Sequence, residues 1–173
     1  MLFRSVSYGE AFTVQPFGNS LVTMTLTAQQ IRNVLEQQFV GCLGQTVQRV
    51  MQISNGLRYS WSAGAAPCTK IVDVVFTPTD VTVTPPLATG APEKIVVAGV
   101  VQNPSKTYRV TVNNFLATGG DGFTVLLGGQ NLLGGAQDID ALVAYLAGGY
   151  KAPMAAYDPA SPAFNVPRVT RLP

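Results

Sequence analysis

Between Tyr108 and Phe123 the chain reads YRVTVNNFLATGGDGF, and this stretch limits the fold more than any other. Tyr108, Val110 and Val112 alternate with Arg109, Thr111 and Asn113, the period-two pattern of a strand with one buried face. The strand runs into Asn113-Asn114-Phe115-Leu116-Ala117 and breaks at Gly119-Gly120-Asp121-Gly122. Three glycines around one aspartate permit backbone angles that other residues resist, and they let a ligand approach the main chain. A carboxylate in such a loop can accept from two neighbouring hydroxyls, such as a ribose diol. Phe115 stands where strand gives way to loop, a place for a half-exposed ring. The plainer reading is a strand, a Gly-rich turn and a core phenylalanine, since Gly-Asp-Gly is common in loops.

The remaining sequence narrows the chemistry mainly by exclusion. A chain of 173 residues suits one domain with a sizeable core. Charged residues are 12% of the chain, the formal net charge is +2, and the charges are scattered singly. No basic field for nucleic acid results. No apolar run approaches the roughly 20 residues that cross a bilayer. Histidine is absent, so neither a Ser-His-Asp nor a Cys-His triad can be assembled. A dinuclear phosphoesterase site normally mixes carboxylates with imidazoles and is not expected within this chain. Cys42 and Cys68 are too far apart for a CxxC motif. They form one disulfide in a secreted protein, or remain two buried thiols in a cytosolic one. Arg32, Arg49 and Arg58 are spread out and read as solvated charges, not a phosphate cluster. Asp138 and Asp140 lie two apart on a helix, do not share a face, and make no acid–base pair. Met1-Leu2-Phe3-Arg4 is not followed by the apolar run of a signal peptide.

In chain order, Ser7 caps a short helix through Tyr8, Glu10, Ala11 and Phe12, which Pro16 ends. Phe17-Gly18-Asn19 makes a tight corner, and Leu21 to Leu26 a strand. Thr27 and Gln30 form a capping box. The helix it opens carries Ile31, Val34, Leu35 and Phe39 on one face. Met51 and Ile53 alternate into Asn55-Gly56, a strong hairpin signal, and Leu57, Tyr59 and Trp61 alternate out of it. Residues 71–76 and 81–83 are short β segments, 95–101 another strand, and 128–135 a Gly-rich loop. Asp138 caps a helix bearing Ile139, Leu142, Val143 and Leu146. Residues 151–167, with four prolines, make an extended surface path, and residues 166–172 a short closing strand. Hairpins among the helices argue against a doubly wound parallel sheet. The expected class is α+β: a single domain of mixed or antiparallel sheets, flanked by two main helices and a short one.

NNFLATGGDGF closely resembles the signature of the C-terminal domain of 5'-nucleotidases, the family that includes UDP-sugar hydrolases and 2',3'-cyclic nucleotide phosphodiesterases. SYGEAFTVQPFGNSLVTMTLT, MQISNGLRYSWS and QDIDALVAYLA resemble other parts of the same domain. The resemblance runs over residues 6–173, leaving residues 1–5 as a cloning scar or a truncated start. It implies that Phe17, in the Pro-Phe-Gly corner, and Phe115, in the Asn-Phe-Leu-Ala segment, stack on the two faces of a nucleobase. Stacking contributes about 1–3 kcal/mol per base and tolerates different bases, so such a clamp has broad specificity. Asp121 then accepts from the ribose hydroxyls, Asn19 contacts the base edge, and Gly119 and Gly120 shape the substrate loop. The family's upstream Gly-Gly-Ile-Arg segment, a source of phosphate-binding arginine, has no match here.

The resemblance also implies an N-terminal metallophosphoesterase domain on the same polypeptide, holding two divalent metal ions and carrying the catalytic residues. The whole enzyme would hydrolyse nucleoside 5'-phosphates outside the cytoplasm, in an extracellular, periplasmic or cell-surface setting. This chain alone is expected to hold no metal, no cofactor and no hydrolase activity. The alternatives are a stand-alone, non-catalytic nucleoside-binding module, and a scaffold that has kept the fold and lost the pocket.

Overall fold

Strand β1 (Ser20–Thr27) lies at the centre of a three-stranded sheet, between β8 (Thr107–Asn113) and β9 (Gln130–Gln137). The computed structural model describes residues 6–80, 87–149 and 167–173. β8 runs antiparallel to β1, with Leu21 opposite Asn113 and Thr27 opposite Thr107. β9 runs antiparallel on the other side, with Ser20 opposite Gln137. The start of β1 and the ends of β8 and β9 therefore meet at one end of the sheet. On the open face, Arg109 spans all three strands, donating to Thr25 Oγ1 at 2.9 Å and to the Asn131 carbonyl at 2.8 Å.

A second sheet contains β2 (Leu57–Ser62), β3 (Ile71–Phe76), β6 (Glu93–Val97), β7 (Val100–Val101) and β10 (Val169–Leu172). Its order is β10-β2-β3-β6-β7, and only the β10–β2 pair is parallel. Two short strands, β4 (Thr79–Asp80) and β5 (Leu87–Ala88), pair separately. The helices are α1 (Tyr8–Val14), α2 (Ala28–Glu36), α3 (Asn114–Ala117) and α4 (Asp138–Gly149). The expected capping box of Thr27 with Gln30 is formed, and Ser7 does more than cap α1, making a second box with Glu10. The apolar stripe of α2 buries Ile31, Val34 and Leu35 in a core shared with Met24 and Leu26 of one sheet and Ile71, Val74 and Ile95 of the other. The fold is α+β, with antiparallel and mixed sheets flanked by helices. Among the described residues no helix is long and apolar enough to cross a membrane.

Three local expectations change. Residues 51–54 form no strand, so Asn55-Gly56 is a turn into β2 and not the tip of a hairpin. Side chains replace the ladder there: the Met51 amide donates to Gln38 Oε1 at 2.7 Å, and Arg168 donates to the Ile53 carbonyl at 2.7 Å. The expected Gly-rich loop at 128–135 is mostly β9. Every residue of that edge strand is exposed, so it carries no alternating apolar signal. Residues 95–101 divide into β6 and β7 around Ala98-Gly99, both at positive φ (47° and 81°), as a tight hairpin turn requires. Residues 1–5, 81–83 and 151–166 lie outside the described residues.

Cys42 and Cys68 are joined in a disulfide with a Cα–Cα distance of 5.0 Å. It ties the loop after α2 to the loop before β3.

Candidate functional site

Pro16 ends the path from α1, and Phe17-Gly18-Asn19 turns the chain into β1. Opposite, β8 passes directly into α3, which carries Phe115. Because Leu21 faces Asn113, the two corners are neighbours at the same end of the sheet. Asn114 fastens them together, its Oδ1 accepting from the Ser20 amide at 2.9 Å. Asn113 caps α3, accepting from the Leu116 amide at 2.8 Å. The two asparagines before Phe115 therefore have separate structural tasks. The Asn19 carbonyl accepts from the Asp138 amide at 2.8 Å, bringing in the start of α4. Gly18 has φ of 62° and open space where a Cβ would stand, so only the backbone angle calls for glycine there.

Phe17 is 73% exposed and Phe115 47% exposed. The reading of both rings as core residues is thereby overturned. Among the described residues, neither ring packs on another aromatic ring. Asn19 is half-buried beside them.

The glycine loop follows α3. Gly119 has φ of 82°, and Gly120–Gly122 make a 3-10 turn with Asp121 at φ 55° and ψ 21°. A Cβ on Gly120 would lie 2.5 Å from the Phe115 carbonyl oxygen and 2.7 Å from its ring carbons. Gly120 thus backs the Phe115 ring at a distance no other residue allows. The Asp121 carboxylate is about as exposed as its partner, Arg49, whose Nη1 lies 3.2 Å from Oδ1. A pair this exposed is worth about 0–1 kcal/mol of stability.

Arg49, then, is not a free solvated charge, and neither are the other two arginines. Arg32 pairs with Glu36 at 3.2 Å and donates to the Cys68 carbonyl at 2.7 Å, and Arg58 donates to the Pro167 carbonyl at 3.1 Å. The three do not gather into a phosphate site.

Behind the loop stands a polar framework that the sequence conceals. Gln37, Gln38 and Gln45 are buried. Gln45 Nε2 donates to the Asp121 carbonyl and to the Gln37 carbonyl, each at 3.0 Å. Gln37 donates to Thr124 Oγ1 at 2.8 Å and accepts from the Val125 amide at 3.1 Å. Gln38 accepts from the Met51 amide and from the Tyr59 hydroxyl. Buried Glu36 accepts from the amides of Lys70 and Ile71. Polar residues at a helix's last turn read as its wet side. The one available hint is that Gln37 and Gln38 interrupt an apolar stripe just before Phe39.

A hollow of about 670 Å³ lies elsewhere. It is an apolar gap between the sheets, lined by Leu26, Ile31, Met51, Ile53, Tyr108 and Val110 among others, and it includes none of Phe17, Phe115 or Asp121. The corner carries its two phenylalanines largely exposed instead. Among the described residues no group of three or more His, Cys, Asp or Glu side chains is placed to hold a metal ion.

Comparison with known proteins gives a consistent family. Residues 4–128 match the family described as "5'-nucleotidase, C-terminal domain". A trifunctional nucleotide phosphoesterase protein of Bacillus subtilis (strain 168) is 30% identical over 123 residues, covering 69% of this chain and 7% of that protein. A cell wall protein of Listeria monocytogenes is 32% identical over 121 residues, covering 70% of this chain and 12% of that protein. The crystal structure of a 5'-nucleotidase precursor from Thermus thermophilus superposes with a TM-score of 0.64 at 29% identity, covering 96% of this chain and 28% of that one. The chain therefore spans less than a third of the length of each of these relatives.

Proposed function

The chain belongs to the 5'-nucleotidase C-terminal domain family, and from that premise we propose that it is the part of a nucleotide hydrolase that grips the substrate. Phe17 and Phe115 stack on the two faces of the base. Asn19 meets the base edge, and Asp121 accepts from the ribose hydroxyls. Gly119 and Gly120 let the loop close on the sugar and hold the Phe115 ring in place. The observation that carries this reading is the pair of exposed phenylalanines on corners that Asn114 fastens together, beside an exposed carboxylate.

The reaction is hydrolysis of a nucleoside 5'-phosphate to nucleoside and phosphate. Its chemistry belongs to a metallophosphoesterase domain N-terminal to this one, where two divalent metals would activate water and polarise the phosphate. This chain's share is to bind, orient and present the ester. The greater length of the relatives supports such a division. A setting outside the cytoplasm is supported by the Cys42–Cys68 bridge and by the name of the cell wall relative.

Two measurements test the reading. The purified chain should release no phosphate from AMP with any added divalent metal; release would overturn the division of labour. The reading frame upstream should encode Asp-x-His and Gly-Asn-His-Asp/Glu motifs. A true start at Met1 would instead make the chain a stand-alone binding module.

A further inference from the structure

We infer that Arg49 is a positioning residue for the Asp121 carboxylate, and that it sets how well the site distinguishes a ribose from a sugar without its diol. The inference rests on the reading of Asp121 as the ribose acceptor. Arg49 Nη1 lies 3.2 Å from Oδ1, an ion pair. Among the described residues no hydrogen bond is made to Oδ2, which is left for a ligand. An aspartate on an open loop otherwise turns freely about its side-chain bonds, and a diol needs both of its hydroxyls to find acceptors at once. An ion pair on one oxygen biases where the other points.

The support is built from one short segment. Gln45 holds the Asp121 backbone carbonyl and Arg49 holds the Asp121 side chain. That segment is itself anchored. The Arg49 amide donates to the Gln38 carbonyl at 2.9 Å, and the Gln45 amide donates to the Cys42 carbonyl at 3.0 Å. Cys42 is tied to Cys68. The left-handed backbone at Asp121, between two glycines, is thus braced from behind at both its main chain and its side chain. Pairing with Arg49 also offsets the aspartate's charge, which would otherwise repel the phosphate of a nucleotide.

The test compares adenosine with 2',3'-dideoxyadenosine, titrated by NMR into the whole chain and into Arg49→Gln, Arg49→Lys and Asp121→Asn. Arg49→Gln should weaken adenosine by about threefold to fivefold, within what an exposed ion pair contributes. Its affinity for dideoxyadenosine should be unchanged, and Arg49→Lys should recover part of the loss. Unchanged adenosine binding in Arg49→Gln, alongside a loss in Asp121→Asn, would sink the inference and spare the reading of the site. Equal loss for both ligands in Arg49→Gln would show a merely structural role and also sink it. If Asp121→Asn binds adenosine normally, or the unsubstituted chain binds neither ligand, the reading of the site falls and the inference falls with it.

Discussion

Phe17 and Phe115 keep much of their rings in water, while Phe39 and Phe123 are buried. The difference follows from where each stands: the first two sit at corners, the others belong to the buried core. Gly120 carries the closest constraint, because a Cβ there strikes the Phe115 carbonyl and ring. Gly120→Ala should lower stability by about 1 kcal/mol or more and displace the ring. Gly9→Ala, on open helix surface, should be neutral or stabilising by about 0.5–1 kcal/mol. Thermal melts of the two variants check this pair, and equal melting temperatures would contradict it. Titration adds a second residue-scale expectation. Burial raises the Tyr59 phenol, and burial followed by the hydrogen bond to Glu93 raises that of Tyr108. The folded chain therefore binds more protons than the unfolded chain above the ordinary phenol value of about 10. Stability is full below that pH and falls as pH rises through the folded values. Urea unfolding at pH 9 and pH 11 should show the loss, and Tyr59→Phe should reduce the slope. Glu93 is shifted the other way, first by its hydrogen bond to Lys106. Its contribution is present above the usual carboxylate range and lost as pH falls, and it is small because the pair is exposed.

At the scale of elements, α1, α2, β1, β3 and β8 were legible because each announces itself locally. Capping boxes open both helices, and β8 alternates cleanly in sequence. Thr27→Ala removes one such signal and should cost about 1 kcal/mol, read from denaturant midpoints. β9 was not legible, since an edge strand with every residue exposed has no apolar face to display. Residues 51–54 misled because Met51 and Ile53 do pack on the core, yet their backbone is satisfied by Gln38 and Arg168 instead of a partner strand. The buried glutamines escaped notice for a related reason: an amide can be buried only where distant carbonyls and amides await it, and the sequence does not show those. The segment they organise is closed by the Cys42–Cys68 bridge, with a sequence separation of 26. Loop-entropy arguments put its contribution at about 3 kcal/mol. Reduction should lower the unfolding midpoint accordingly and speed amide exchange across residues 37–49. An unchanged midpoint would contradict that role.

For the whole molecule, two sheets share one core, and the proposed site lies at the end of the three-stranded sheet, not in the hollow between them. The candidate residues cluster in two contiguous motifs, which is why a sequence reading singles them out. Their bracing by Gln45 and Arg49 is not singled out in that way, because it depends on the path of the chain between the sheets. The chain spans only a fraction of its relatives, and the account makes it a grip without a catalytic centre. The most direct test is an NMR titration of the chain with adenosine, repeated on Phe115→Ala. Shifts should cluster at Phe17, Asn19, Phe115 and Asp121, and the variant should lose about 1–3 kcal/mol of affinity, the worth of one stacked base. Adenosine binding that is unaltered in Phe115→Ala, or shifts confined to residues lining the hollow between the sheets, would contradict this reading.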